Sequence, residues 1–145
     1  MNELSIRLAD WHRDYSSIHR IRESVFVAEQ AVPPEQEWDS EDETAVHFLA
    51  EQGDFAIGTA RLLPDGYLGR LSVLKDWRGQ KVGDALLQAV IEQARQRGLT
   101  ELKLTAQVHA TAFYERFGFK VVSEEFIEAG LPHVDMVLDV TSGER

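Results

Sequence analysis

The chain's most chemically suggestive stretch begins where Leu71-Ser72-Val73 gives way to Lys75-Asp76-Trp77-Arg78-Gly79-Gln80-Lys81, followed by Val82-Gly83-Asp84-Ala85-Leu86-Leu87. A strand-like run enters a basic, glycine-containing turn, and a helical pattern opens directly after it. A helix start offers unpaired backbone N–H groups and the positive end of a dipole, a combination that suits phosphate. Gly79 and Gly83 let backbone approach an anion closely, and Arg78 and Lys81 add charge. A nucleotide-hydrolysing loop would need a Gly-Lys-Ser/Thr ending, and a dinucleotide fingerprint needs other glycine spacing. Neither is present.

A second group lies downstream in Gln107-Val108-His109-Ala110-Thr111-Ala112-Phe113-Tyr114-Glu115-Arg116-Phe117-Gly118-Phe119. Tyr114 carries a phenol that stays neutral at working pH and can still donate a proton. His109 and His133 titrate near neutrality and are the natural candidates for a base, with capping or structural roles as the alternative. Phe117 and Phe119 read as core aromatics. The histidines show no helical i, i+4 ligand spacing, so no metal site is expected.

These groups need elements to hold them. Leu4, Ile6 and Leu8 alternate with Ser5 and Arg7, the period of a half-buried strand. Asp14 reads as the N-cap of a helix carrying Ile18, Ile21, Val25 and Phe26, which Pro33-Pro34 ends. Residues 46–51 and 55–63 form a hairpin around Gly53-Asp54, and Pro64-Asp65-Gly66 turns the chain into a strand over 67–74. Val82, Ala85, Leu86, Ala89 and Val90 mark an amphipathic helix closed by Gly98. Strands at 102–106, 119–122 and 134–140 and a short helix at 109–117 complete the order. The strand-helix-strand order predicts a right-handed crossover and a parallel pair in a mixed, mostly antiparallel α/β sheet.

With 145 residues, 43% of them hydrophobic, the chain has the size and composition of a single domain over 1–145. It has no cysteine, which excludes disulfides and a cysteine nucleophile. No long apolar run marks a signal peptide or a span, so a cytoplasmic protein is expected. A net charge of −10 makes nucleic acid and anionic membranes poor partners. The acidic run Glu35, Glu37, Asp39, Glu41, Asp42 and Glu43 reads as a solvated loop.

The two motifs together resemble those of the GNAT superfamily N-acyltransferases. Arg78-Gly79-Gln80-Lys81-Val82-Gly83 fits Arg/Gln-x-x-Gly-x-Gly/Ala, with Lys81 in the first glycine slot, and Gln107 to Phe119 fits the second signature. Arg22 to Gln30, Gly69-Arg70, Gln107-Val108-His109 and Gly130 to Met136 are similar to a bacterial subgroup, the ElaA-like or YjcF-like proteins. The resemblance implies acetyl-CoA as donor, held by Leu71, Ser72, Val73, Arg78, Gly79, Gln80, Lys81, Val82, Gly83, Asp84, Gln107, Phe113, Tyr114 and Arg116. It implies direct attack by an amine, with Tyr114, His109 and His133 as the catalytic candidates and Arg22, Glu29 and Gln30 near the amine substrate. That substrate is a small molecule or a peptide, and homodimers are common in the family. A non-catalytic acyl-CoA-binding module is the alternative.

Overall fold

The structure, a computed structural model, describes residues 4–29 and 40–141. Gln30, Pro33, Pro34, Glu35, Glu37 and Asp39 lie outside these residues. Strands β1 (Leu4–Ala9), β2 (Val46–Gln52), β3 (Phe55–Leu62) and β4 (Leu68–Val73) form an antiparallel meander in that order. Helix α1 (Tyr15–Arg22) leads into a π-helical stretch, Glu23–Glu29. After β4 come helix α2 (Val82–Gln96), strand β5 (Glu101–Gln107) and the short helix α3 (Thr111–Glu115). Strands β6 (Lys120–Val121), β7 (Phe126–Glu128) and β8 (Leu131–Asp139) follow. The second sheet has the order β5-β8-β6, with β7 also on β8, all antiparallel.

The apolar stripe of α2 does what its period dictates. Val82, Leu86, Leu87, Val90, Ile91 and Ala94 are buried, joining Phe48, Ile57 and Leu62 from the first sheet with Leu102, Leu104 and Met136 from the second. One helix thus shares a core with both sheets.

The predicted parallel pairing shrinks to a single bridge between Tyr67 and Lys103, where the Lys103 amide donates to the Gly66 carbonyl at 2.9 Å. Gly66 is required there, because a Cβ would sit 2.5 Å from the Glu101 carbonyl oxygen and φ is +94°. Beyond the bridge, a bulge turns β4 aside. Gly69 faces Arg61 and Ser72 faces Thr59, so Arg70 and Leu71 together oppose one residue, with Arg70 at φ +54°. The two sheets therefore part after the bridge.

Four sequence expectations are corrected. Asp14 makes no side-chain cap to α1; its carboxylate accepts two hydrogen bonds from Arg7, both at 3.0 Å, and one from the Asp10 amide. Leu8 is 48% exposed, since β1 is the edge of its sheet. Asp42 is not solvated but 2% exposed. Its Oδ1 accepts from Arg22 at 2.8 Å and from Arg61 at 3.0 Å, while its carbonyl accepts the Nε2–H of His47 at 2.8 Å. His47 in turn stacks on Trp11, with ring centroids 4.5 Å apart. Arg22, expected near the amine substrate, is 1% exposed and belongs to this ion cluster.

Burial alone would raise the Asp42 carboxyl, but the Arg22 and Arg61 guanidinia outweigh it and hold it below the usual range. Burial also lowers His47, with the two arginines adding to the effect against the Asp42 carbonyl. Both groups are thus depressed relative to the unfolded chain. Their contribution is present above the unfolded values, about 6.5 for histidine and 3.9 for aspartate, and is lost as pH falls through the folded ones. We expect urea midpoints to decline below about pH 6.5 and His47→Gln to flatten the first part of that decline. Asp42→Asn at pH 7 should cost roughly 3 kcal/mol, because it strands buried guanidinium charge.

Candidate functional site

Parting the sheets opens two cavities on either side of β4's free edge. The first, about 570 Å³, lies beside the basic turn and takes Leu71, Ser72 and Val73 from β4. Trp77, Arg78, Gly79 and Lys81 line it from the turn, Val82, Gly83 and Asp84 from the first turn of α2, and Phe113 and Tyr114 from α3. The second, about 380 Å³, lies between β4 and β5 and is lined by residues 67–71, residues 104–107, Glu128, Leu131 and His133 among others. Leu71, His109, Ala110 and Tyr114 line both, so the cavities meet at Tyr114. From the π-helical stretch, Val25 lines the turn-side cavity and Phe26 the other.

The turn has the shape an anion needs. Gly79 has φ +80° and Lys81 φ +67°, so lysine holds a left-handed conformation usual for glycine at the N-cap of α2. The first intrahelical bond runs from the Ala85 amide to the Lys81 carbonyl, which leaves the amides of Val82, Gly83 and Asp84 outside the helical ladder. Arg78 folds back to donate from Nε to the Val73 carbonyl at 2.9 Å. Asp84 pairs with Arg116 at 3.2 Å, and Arg116 lies over the rings of Phe113 and Phe117. Phe113 in turn packs near Gly83. This ties α3 to the start of α2.

Tyr114 meets Phe113 edge-on at 5.0 Å and Phe119 at 5.7 Å. Desolvation among these rings pushes its phenol up to about 12. His133 is 8% exposed, and its Nδ1 lies 2.8 Å from the Leu131 carbonyl. A carbonyl only accepts, so the proton sits on Nδ1 and Nε2 is left as the acceptor of the neutral ring. His109 is exposed; by the same reasoning its Nε2–H donates to Gln107 Oε1 at 2.6 Å.

Most of the residues singled out in the sequence therefore converge. Gln80 and Arg116 do not line the turn-side cavity, Gln107 lines the other one, and Arg22 lines neither. Glu29 ends the π-helical stretch. Sequence reasoning assigns no role to Tyr67, Thr105 or Glu128, and takes Trp77 only as part of the basic turn. Gly69 inside the strand is the sequence signal for the bulge that turns Arg70. Among the described residues no helix is long and apolar enough to cross a membrane, and no group of three or more His, Asp or Glu is placed to hold a metal.

Residues 14–140 match the family described as Acetyltransferase (GNAT) domain. The chain is 39% identical over 123 residues to YjcF of Bacillus subtilis (strain 168), described as an uncharacterized N-acetyltransferase, covering 82% of this chain and 88% of that one. It is 34% identical over 130 residues to the protein ElaA of Escherichia coli (strain K12), covering 83% and 84%. The crystal structure of Escherichia coli ElaA superimposes with a TM-score of 0.83 at 30% identity over 96% of this chain and all of that one. An acyl-CoA N-acyltransferase from Pseudomonas aeruginosa gives 0.84 at 28% identity, covering 95% and 99%.

The raised phenol has a spectroscopic consequence. Tyr114 should ionise late in an alkaline absorbance titration, near pH 12, and Tyr114→Phe should remove that component. A folded value above the unfolded one of about 10 stabilises below pH 10 and ceases to do so as pH rises through the folded value.

Proposed function

Because the chain belongs to the GNAT acetyltransferase family and is an acyltransferase, we propose that it moves an acetyl group from acetyl-CoA to a primary amine by direct attack. The observation that carries this reading is the meeting of two cavities at Tyr114. The turn-side cavity would take the donor and the other the amine. We take residues 1–145 to form one domain of this kind.

The residues present fit the donor. The free amides of Val82, Gly83 and Asp84 at the positive end of α2, with Lys81 and Arg78 beside them, suit a pyrophosphate. The edge of β4 beyond the bridge suits an extended amide-bearing arm, which would add to it as a strand does. Acetyl-CoA supplies an acetyl thioester with a thiolate leaving group. The chain's own residues then have three tasks.

Backbone amides near Ser72 and Val73 stabilise negative charge developing on the carbonyl oxygen. His133, which lines the amine cavity and whose Nε2 is left as an acceptor, takes a proton from the attacking ammonium. His109, held by Gln107, frames the passage between the cavities. Tyr114 serves the departing sulfur. A phenol at about 12 is a weaker acid than a thiol of about 8.5, so full proton transfer is uphill by about 5 kcal/mol. The phenol therefore acts best as a hydrogen-bond donor sharing its proton as charge develops.

The test is calorimetric titration with acetyl-CoA followed by thiol release over a panel of primary amines. Saturable binding weakened roughly tenfold by Lys81→Glu, about 1.4 kcal/mol, supports the donor site. Lys81→Gly should keep the turn and lose only the charge. Tyr114→Phe should lower kcat roughly 100-fold with donor affinity unchanged. Binding without turnover on any amine would leave the non-catalytic module standing, and absence of binding would sink both.

A further inference from the structure

Tyr67 follows the Pro64-Asp65-Gly66 turn and lines the amine cavity, as does Thr105 of β5. Its phenol oxygen lies 2.6 Å from Thr105 Oγ1, which lies 2.8 Å from Asp135 Oδ1. Thr105 and Asp135 are directly opposed partners on β5 and β8.

The direction of this chain of hydrogen bonds is fixed by counting protons. An ionised carboxylate only accepts, so the single hydroxyl proton of Thr105 goes to Asp135. Thr105 can then offer Tyr67 only a lone pair, so the phenol proton goes to Thr105. The oxygen of Tyr67 is left with acceptor capacity alone, and each bond polarises the next toward the carboxylate.

We infer that Tyr67 binds the amine substrate directly, its phenol oxygen accepting an N–H bond from the ammonium, with Thr105 and Asp135 as positioning residues that hold it in the accepting state. This rests on the reading of the second cavity as the amine site. One rung further along the same face, about 7 Å, stands the Gln107–His133 pair, whose His133 Nε2 is likewise an acceptor. Two acceptor atoms in succession select a cationic nitrogen over a carboxylate at this end of the cavity. Arg70 and Glu128 line the same cavity and leave room for mixed charge elsewhere along its wall.

A purely structural role for the chain, tying the end of the turn to the second sheet, would alter stability without charge selectivity. The decisive measurement is therefore an NMR titration of tyrosine-labelled protein with ethylammonium chloride and with sodium propionate, which needs no turnover. Ethylammonium should shift the Tyr67 ring resonances saturably, and propionate should not. Tyr67→Phe, which keeps the ring, should weaken ethylammonium roughly tenfold while acetyl-CoA affinity holds. Thr105→Val frees the phenol proton to turn into the cavity and should weaken it several-fold. Unchanged ethylammonium affinity in either variant, no shift with ethylammonium, or equal shifts with propionate would overturn the inference. Thiol release with amines separates the two claims, since its absence with ethylammonium binding intact counts against the transferase reading alone.

Discussion

The two cavities of this fold depend on one interrupted pairing. β4 and β5 touch at the Tyr67–Lys103 bridge and then separate. A strand edge inside a protein carries N–H and C=O groups that cost about 1–3 kcal/mol each if left buried and unpaired, so a parting of this kind persists only where water or a ligand can enter. The bulge at Arg70 bends the strand, and Gly66 lets the chains cross closely before they part. α2 packs across both sheets and spans the opening, with its positive end at one side. α3 is held to that end by Arg116–Asp84 and by Phe113 against Gly83, which brings Tyr114 to the meeting point.

The first helix is fixed by a different force. Arg22 and Arg61 share Asp42 in the interior, where burial also disfavours the charged form of His47 beneath Trp11. Such a cluster gives little net stability compared with apolar packing, but it is intolerant of losing one member. It holds the root of the π-helical stretch, and that stretch supplies Val25 to one cavity and Phe26 to the other. The cluster therefore acts on the site through placement, not contact.

The sequence was most legible where information is local. The hairpin around Gly53-Asp54, the stripe of α2 and the basic turn all announce themselves within a dozen residues, and the structure has them where expected. Lys81 in a glycine slot keeps the glycine-like conformation, because the turn is set by its neighbours and the helix start. What escaped the reading was long-range. Asp42 looks solvated among other acids until Arg22 and Arg61 are brought to it from 20 and 19 residues away. Tyr67 gives no sign of a role until β5 and β8 place Thr105 and Asp135 beside it. β7 is three residues with alternation too short to register, and the parallel pair implied by the crossover ignores the bulge that cancels most of it.

The free edge of β4 also bears on how the protein avoids sticking to itself. An unpaired strand edge is a template for another polypeptide, and proteins that expose one on their outer surface tend to aggregate. Here the edge of β4 lines a cavity that β5 also lines, and the Arg70 bulge interrupts its regular pairing. A slender, single-file chain can reach it, whereas a second β-strand would have to bring its side chains and its own neighbouring strand into the same gap. A gap of this kind favours a slender extended chain over a second β-strand as the occupant of the β4 edge.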